Sequence, residues 1–125
     1  MKYALLLLLF ISSYAYSENM AQLEFNNLRK ENNREKIFLG LKKIEVKTIA
    51  FSKYIVSQKK YDPILYGYLT DLEEAFVLLP KTIKELKSCA VMDEAYNAHF
   101  GLALGDEKPQ ALVDFWKVFK KICRK

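Results

Sequence analysis

The side chains of this sequence that could do chemistry are few and widely spaced. They are one histidine, His99, two cysteines, Cys89 and Cys123, and neighbouring acids such as Glu73 with Glu74 and Asp93 with Glu94. Adjacent residues on a helix point about 100° apart, so neither acidic pair presents two carboxylates to one reacting bond. His99 and Cys89 lack the third, orienting group that an activated nucleophile uses. The chain has no GxSxG elbow, no glycine-rich phosphate loop and no HExxH metal motif. The expectation is a protein that is not an enzyme, with no catalytic residue, no metal site and no resident cofactor.

The cysteines are better explained by structure than by reactivity. Metal ligation or redox work would call for CxxC spacing or for clustered His and Cys partners, and neither is present. Residues 1–17, "MKYALLLLLFISSYAYS", place Lys2 ahead of an apolar run from Tyr3 to Ile11, followed by small residues that suit cleavage after Ala15 or Ser17. That is the layout of a secretory signal peptide. The apolar run is far shorter than the roughly 20 residues needed to span a bilayer. Two cysteines in an oxidising compartment predict one structural disulfide, Cys89 to Cys123. Residues 18–125 are then expected to form a single domain, periplasmic or secreted.

His99 and Met20 support a second, narrower expectation. Met20 falls near the mature N-terminus and His99 on a helix placed centrally in the chain. An exported helical bundle with this pair resembles, in plan, the cytochrome b562 family of haem proteins. The resemblance implies Met20 and His99 as axial ligands, and with them a carrier of haem or another apolar ligand. It departs from the family in one respect: a whole helix follows His99, whereas the family's histidine stands close to the C-terminus. One His and one Met carry no spacing signature of their own. The residues taken alone predict a histidine partly buried beside Tyr96 and Phe100.

The apolar pattern that must position these groups is helical throughout. Ile37, Leu41, Ile44, Thr48, Phe51 and Ile55 step by four and three, one stripe of a long helix. Asn32 is the expected N-cap, with Glu35 completing a capping box. Upstream, Ala21, Phe25 and Leu28 mark a shorter helix. Asp62 and Pro63 open another helix, with Leu65, Leu69, Leu72, Phe76 and Leu79 on one face and Pro80 as its stop. Thr82 and Glu85 repeat the capping-box pattern and predict a helix running on through Ile83, Leu86, Ala90, Val91, Ala95, Ala98 and Leu102. Its apolar residues encircle the axis, which places it in the middle of the fold. Gly101 and Gly105 permit its end, and a last helix starts near Pro109. The expected fold is an all-α, small antiparallel bundle of about four main helices plus a short N-terminal one, stapled by one disulfide.

The C-terminal stretch "DFWKVFKKICRK" mixes aromatic and basic residues. On a helical wheel Leu112, Phe115, Trp116, Phe119, Ile122 and Cys123 share one side, while Lys117, Lys120, Lys121, Arg124 and Lys125 take the other. A Cys123 bonded to Cys89 must face inward, and it takes the aromatic residues with it. A membrane-surface helix would show the same pattern, so weak contact with a lipid surface is the alternative.

Formal net charge is +5, unevenly spread. Gln22 to Lys60 carries ten Lys or Arg against four Glu, Tyr61 to Glu107 three Lys against nine acids, and Lys108 to Lys125 six bases against Asp114. Oppositely charged segments can pair along a bundle's rim, at little energy per pair. They can also form a basic face that recognises an anionic partner. No nucleic-acid motif is present, and an exported chain does not meet nucleic acid as its ordinary partner. The functional expectation is a small exported interaction protein, an inhibitor, immunity or accessory factor, binding an acidic protein surface through Lys117, Lys120, Lys121 and Arg124.

Overall fold

The computed structural model describes residues 18–58 and 62–125, and the expected signal segment lies outside the described residues. Five α-helices follow one another there: α1 (Glu18–Arg29), α2 (Arg34–Ser57), α3 (Pro63–Val77), α4 (Cys89–Phe100) and α5 (Gln110–Phe119), with a 3-10 turn at Ile83–Glu85 before α4. No strand occurs among the described residues. The fold is an all-α bundle, and Cys89 and Cys123 are bonded across it with their Cα atoms 5.1 Å apart.

The long helix forms where the three-four spacing required it. Ile37, Leu41, Ile44, Thr48, Phe51 and Ile55 are all buried, joined by Phe38 and Ser52. Its start differs by one residue from the sequence expectation. The Glu31 carboxylate accepts from the backbone N–H of Asn32 at 3.2 Å and of Asn33 at 3.0 Å, which holds both in the turn. Asn33, not Asn32, then caps α2 by accepting from the Lys36 N–H at 3.0 Å. Helix α3 opens as expected, with the Asp62 side chain accepting from the Ile64 N–H at 2.8 Å and Pro63 in the first turn. Leu69, Leu72, Phe76 and Leu79 are buried and Leu65 is half-buried. Helix α1 buries Ala21 and Phe25. It lies close on α2 at Gly40, where any Cβ would run into the Leu28 side chain.

The segment after Pro80 departs most from the sequence expectation. The Glu85 carboxylate does accept from the Thr82 N–H at 3.2 Å, but the turn it caps stops at Glu85. Leu86 is extended, and Lys87 and Cys89 bond the C-terminal segment instead of a helix. Arg124 N–H donates to the Lys87 carbonyl at 3.0 Å and Cys89 N–H to the Arg124 carbonyl at 2.7 Å. These backbone groups cannot also serve a helical ladder, so α4 begins only at Cys89, with Ser88 as N-cap. Gly101, with φ +68°, ends it in the left-handed conformation that glycine adopts without strain.

Helix α4 is therefore peripheral. It buries only Met92 and Tyr96, and Ala90, Val91 and Ala98 are exposed. The central place belongs to α5, which packs against α3 and α1, while α3 also packs against α2. Phe115 meets the rings of Phe76 and Tyr96 edge-on, each at 5.3 Å, and stacks on Phe119 at 5.2 Å. Such pairs add about 0.5–1.5 kcal/mol each beyond their buried area. Regular α5 ends at Phe119 rather than running to Lys125, because the last residues extend to pair with the segment before α4. The inward assignment still holds: Leu112, Phe115, Phe119, Ile122 and Cys123 are buried and Trp116 is half-buried.

Candidate functional site

Among the described residues, side chains with chemical potential do not converge. Cys89 and Cys123 are consumed by the disulfide. Asp93 holds Lys108 at 2.7 Å, and Glu94 beside it is exposed. No group of three or more His, Cys, Asp or Glu able to hold a metal occurs among the described residues. His99 is exposed in the last turn of α4, its ring edge-on to Phe100 at 5.7 Å. The sequence expectation had placed it on a central helix, partly buried. An exposed imidazole on a peripheral helix does not fit a haem held between helices. Met20 falls in the first turn of α1, and its side chain lies outside the described residues.

A polar cluster inside the bundle is centred on Asp114, a residue the wheel of the C-terminal stretch leaves unremarked. The residue is 8% exposed. It accepts from the Tyr68 hydroxyl at 2.9 Å, from Gln110 Nε2 at 2.9 Å and from Gln22 Nε2 at 3.3 Å, tying α3, α5 and α1 together. A groove of about 290 Å³ runs alongside, lined by Pro63, Ile64, Gly67, Asp71, Pro109 and Gln110 among others. Burial, and then the charge of Glu74, raise the Asp71 carboxyl above the usual range. The lining carries no cation, thiol or imidazole. The Asp114 cluster therefore positions helices: Asp114→Ala should destabilise the protein by about 1–3 kcal/mol, since buried donors lose their acceptor. Asp114→Asn, which keeps one oxygen, should lose less. Urea denaturation of both variants checks this, and an Asp114→Ala midpoint equal to that of the parent would refute it.

The basic residues of the C-terminal stretch divide into two groups. Lys117, Lys120, Arg124 and Lys125 are exposed, with no carboxylate in ion-pair range among the described residues. Lys121 belongs elsewhere. Its ammonium donates to the carbonyls of Arg29 and Glu31, each at 2.5 Å, at the C-terminal end of α1, where a cation complements the helix dipole. Arg34 makes the reciprocal contact, its Nε donating to the Ile122 carbonyl at 2.8 Å. The turn between α1 and α2 and the end of the chain thus hold one another. Nearby, the Asn33 N–H holds the Glu31 carboxyl below its usual range, with Lys36 and Lys121 adding to the effect. Lys121 is consequently a structural residue and leaves the expected partner-binding set.

Oppositely charged segments do not zip along the rim. Only three ion pairs form among the described residues, Lys42 with Glu45, Lys47 with Glu24 and Lys108 with Asp93. Of these only the last joins the acidic middle of the chain to a basic end.

A second surface lies on the outer side of α2. Helix α2 turns its stripe of Ile37 to Ile55 inward and leaves aliphatic residues on its outer side: Leu39 is 59% exposed, Val46 66%, Ile49 39% and Val56 49%. The signal was present in the sequence, as apolar residues left over once one stripe had been assigned. No described helix is long and apolar enough to cross a membrane. Compared with protein-family models, curated proteins and solved structures, the chain matches none of them.

Proposed function

We propose that this is an exported helical interaction protein, an inhibitor, immunity or accessory factor that binds a protein with an acidic surface through the face of Lys117, Lys120 and Arg124. The observation that carries this reading is the division of labour along the C-terminal stretch. Its aromatic side is spent on the core, and its outer side keeps cations that no acid of the described chain neutralises. Unpaired charges of one sign on a rigid, stapled support steer an oppositely charged partner and raise its association rate. The disulfide suits an oxidising compartment. A lipid surface fits less well, because Phe115, Phe119 and Ile122 are buried and not free to enter a bilayer.

Reversing Lys117, Lys120 and Arg124 to Glu tests the proposal. These side chains are exposed, and Lys120 caps α5 through its backbone N–H and not its side chain, so helicity and the melting temperature should change little. Capture of the partner from the exported fraction should weaken by roughly tenfold or more, mainly through slower association, and the parent interaction should weaken with salt. A folded triple variant that captures the same partner equally well would overturn the reading. Co-sedimentation of the parent, but not the variant, with anionic vesicles would replace it with lipid binding.

A further inference from the structure

Six residues on the outer side of α2 are Leu39, Lys42, Val46, Ile49, Lys53 and Val56. Their spacing is three, four, three, four, three, the alternation of a coiled-coil seam. At about 100° per residue they share an arc of about 100°, and they run for about 26 Å along the helix. The four aliphatic members remain between 39% and 66% exposed. A second stripe on a helix already committed to the core is not needed for folding, and exposed apolar rows rimmed by charge mark sites of protein contact.

We infer that this seam docks an amphipathic helix of another protein, one that carries two carboxylates eleven residues apart, facing Lys42 and Lys53, and aliphatic residues at the layers of Leu39, Val46, Ile49 and Val56. The two lysines decide the occupant. A second copy of this chain is disfavoured in either direction: parallel pairing sets each lysine against itself, and antiparallel pairing about the middle of the seam sets Lys42 against the other copy's Lys53. Like charges facing one another in a desolvated layer oppose assembly. A lipid surface is also a poor fit, since Lys53 lies between Ile49 and Val56 within the seam rather than beside it. An opposing helix can answer both charges with acids. The Lys42 ammonium is 3.8 Å from Glu45 and 5.6 Å from the Phe38 ring centroid, but a surface pair of this kind contributes little and can be shared. Lys53 is exposed, with no carboxylate in range among the described residues. This inference goes beyond the reading above because it rests on a different face of the molecule.

The probe is a pair of synthetic amphipathic peptides of about 20 residues, long enough to run the seam. One has leucine at the four aliphatic layers and Glu at the two layers that face Lys42 and Lys53; the other has Lys at those two layers. Fluorescence anisotropy should give the Glu peptide a Kd at least about tenfold below that of the Lys peptide. Val46→Asp, at an exposed site, should keep the circular dichroism and melting temperature and weaken the Glu peptide at least about tenfold. A Lys42→Glu, Lys53→Glu double variant should reverse the preference between peptides, a gain that misfolding cannot mimic. Reversal of the C-terminal cations should leave peptide binding intact, so the two faces fail or succeed separately. Equal affinity for both peptides, or no binding of the Glu peptide, would overturn the inference. So would sedimentation showing a dimer that Val46→Asp dissolves, or co-sedimentation with phosphatidylglycerol vesicles that Val46→Asp abolishes.

Discussion

Reduction of the Cys89–Cys123 bond should lower the melting temperature of the helical domain by about 10 °C or more. The bond closes a loop between cysteines 34 positions apart. In the chain-entropy model such a closure contributes roughly 3–4 kcal/mol, an upper expectation. In a domain of this size each kcal/mol shifts the midpoint by about 4–8 °C. The loss should be large because the staple supports more than its own loop. It holds the residues that bond Lys87 and Cys89 to Arg124, and Ile122, whose carbonyl receives Arg34, precedes it directly. Thermal unfolding with and without reductant measures the shift. Thiol labelling in denaturant without reductant should find no free cysteine. An unchanged midpoint after verified reduction would show that packing of α5 alone retains the C-terminus.

Leu41→Asp and Phe51→Asp should each abolish or nearly abolish folding, while Lys42→Asp should be mild. Leu41 is fully buried and Phe51 nearly so, both on the inward stripe of α2. A carboxylate there would lose its hydration without gaining a cation, at a cost of several kcal/mol against a total stability of about 5–15 kcal/mol. Lys42 stands on the opposite side, and its exchange for Asp gives up a surface ion pair and an exposed cation–π contact with Phe38 and adds a repulsion with Glu45, together about 1 kcal/mol. Circular dichroism and denaturant titration separate the two classes. Similar behaviour of all three variants would mean that α2 buries a different face. This result also bears on the docking seam, which exists only if the face carrying Lys42 is the outward one.

Much of the bundle was legible because its signals are local. The α2 stripe, the Asp62 and Pro63 start of α3 and the Gly101 stop of α4 each depend on a few residues close in sequence, and each formed as the spacing and capping chemistry required. The cap of α2 moved from Asn32 to Asn33 because two equally suitable residues were adjacent, and the Glu31 side chain decided between them. The helix expected from Thr82 was lost to a competitor that no local pattern reveals. Residues 87–89 bond a segment some 36 positions away, and the capping box upstream closed only one turn.

The candidate surfaces show the same division. Sequence alone determined the helical class, the cysteine pair, the inward face of the C-terminal stretch and the polarity of charge, since periodicity, parity and composition are properties of the chain itself. Tertiary structure alone decided which cations are spent within the fold: Lys121 on the carbonyls of α1 and Arg34 on that of Ile122, leaving Lys117, Lys120 and Arg124 outward. It also decided that α5, not α4, is central, that Asp114 is buried under three neutral donors, and that α2 keeps a second apolar row uncovered. The physical reason is that a helix's own pattern marks its apolar sides but not the neighbours that will cover them. Which side is buried depends on the neighbours that reach it, and those neighbours arrive from distant parts of the chain.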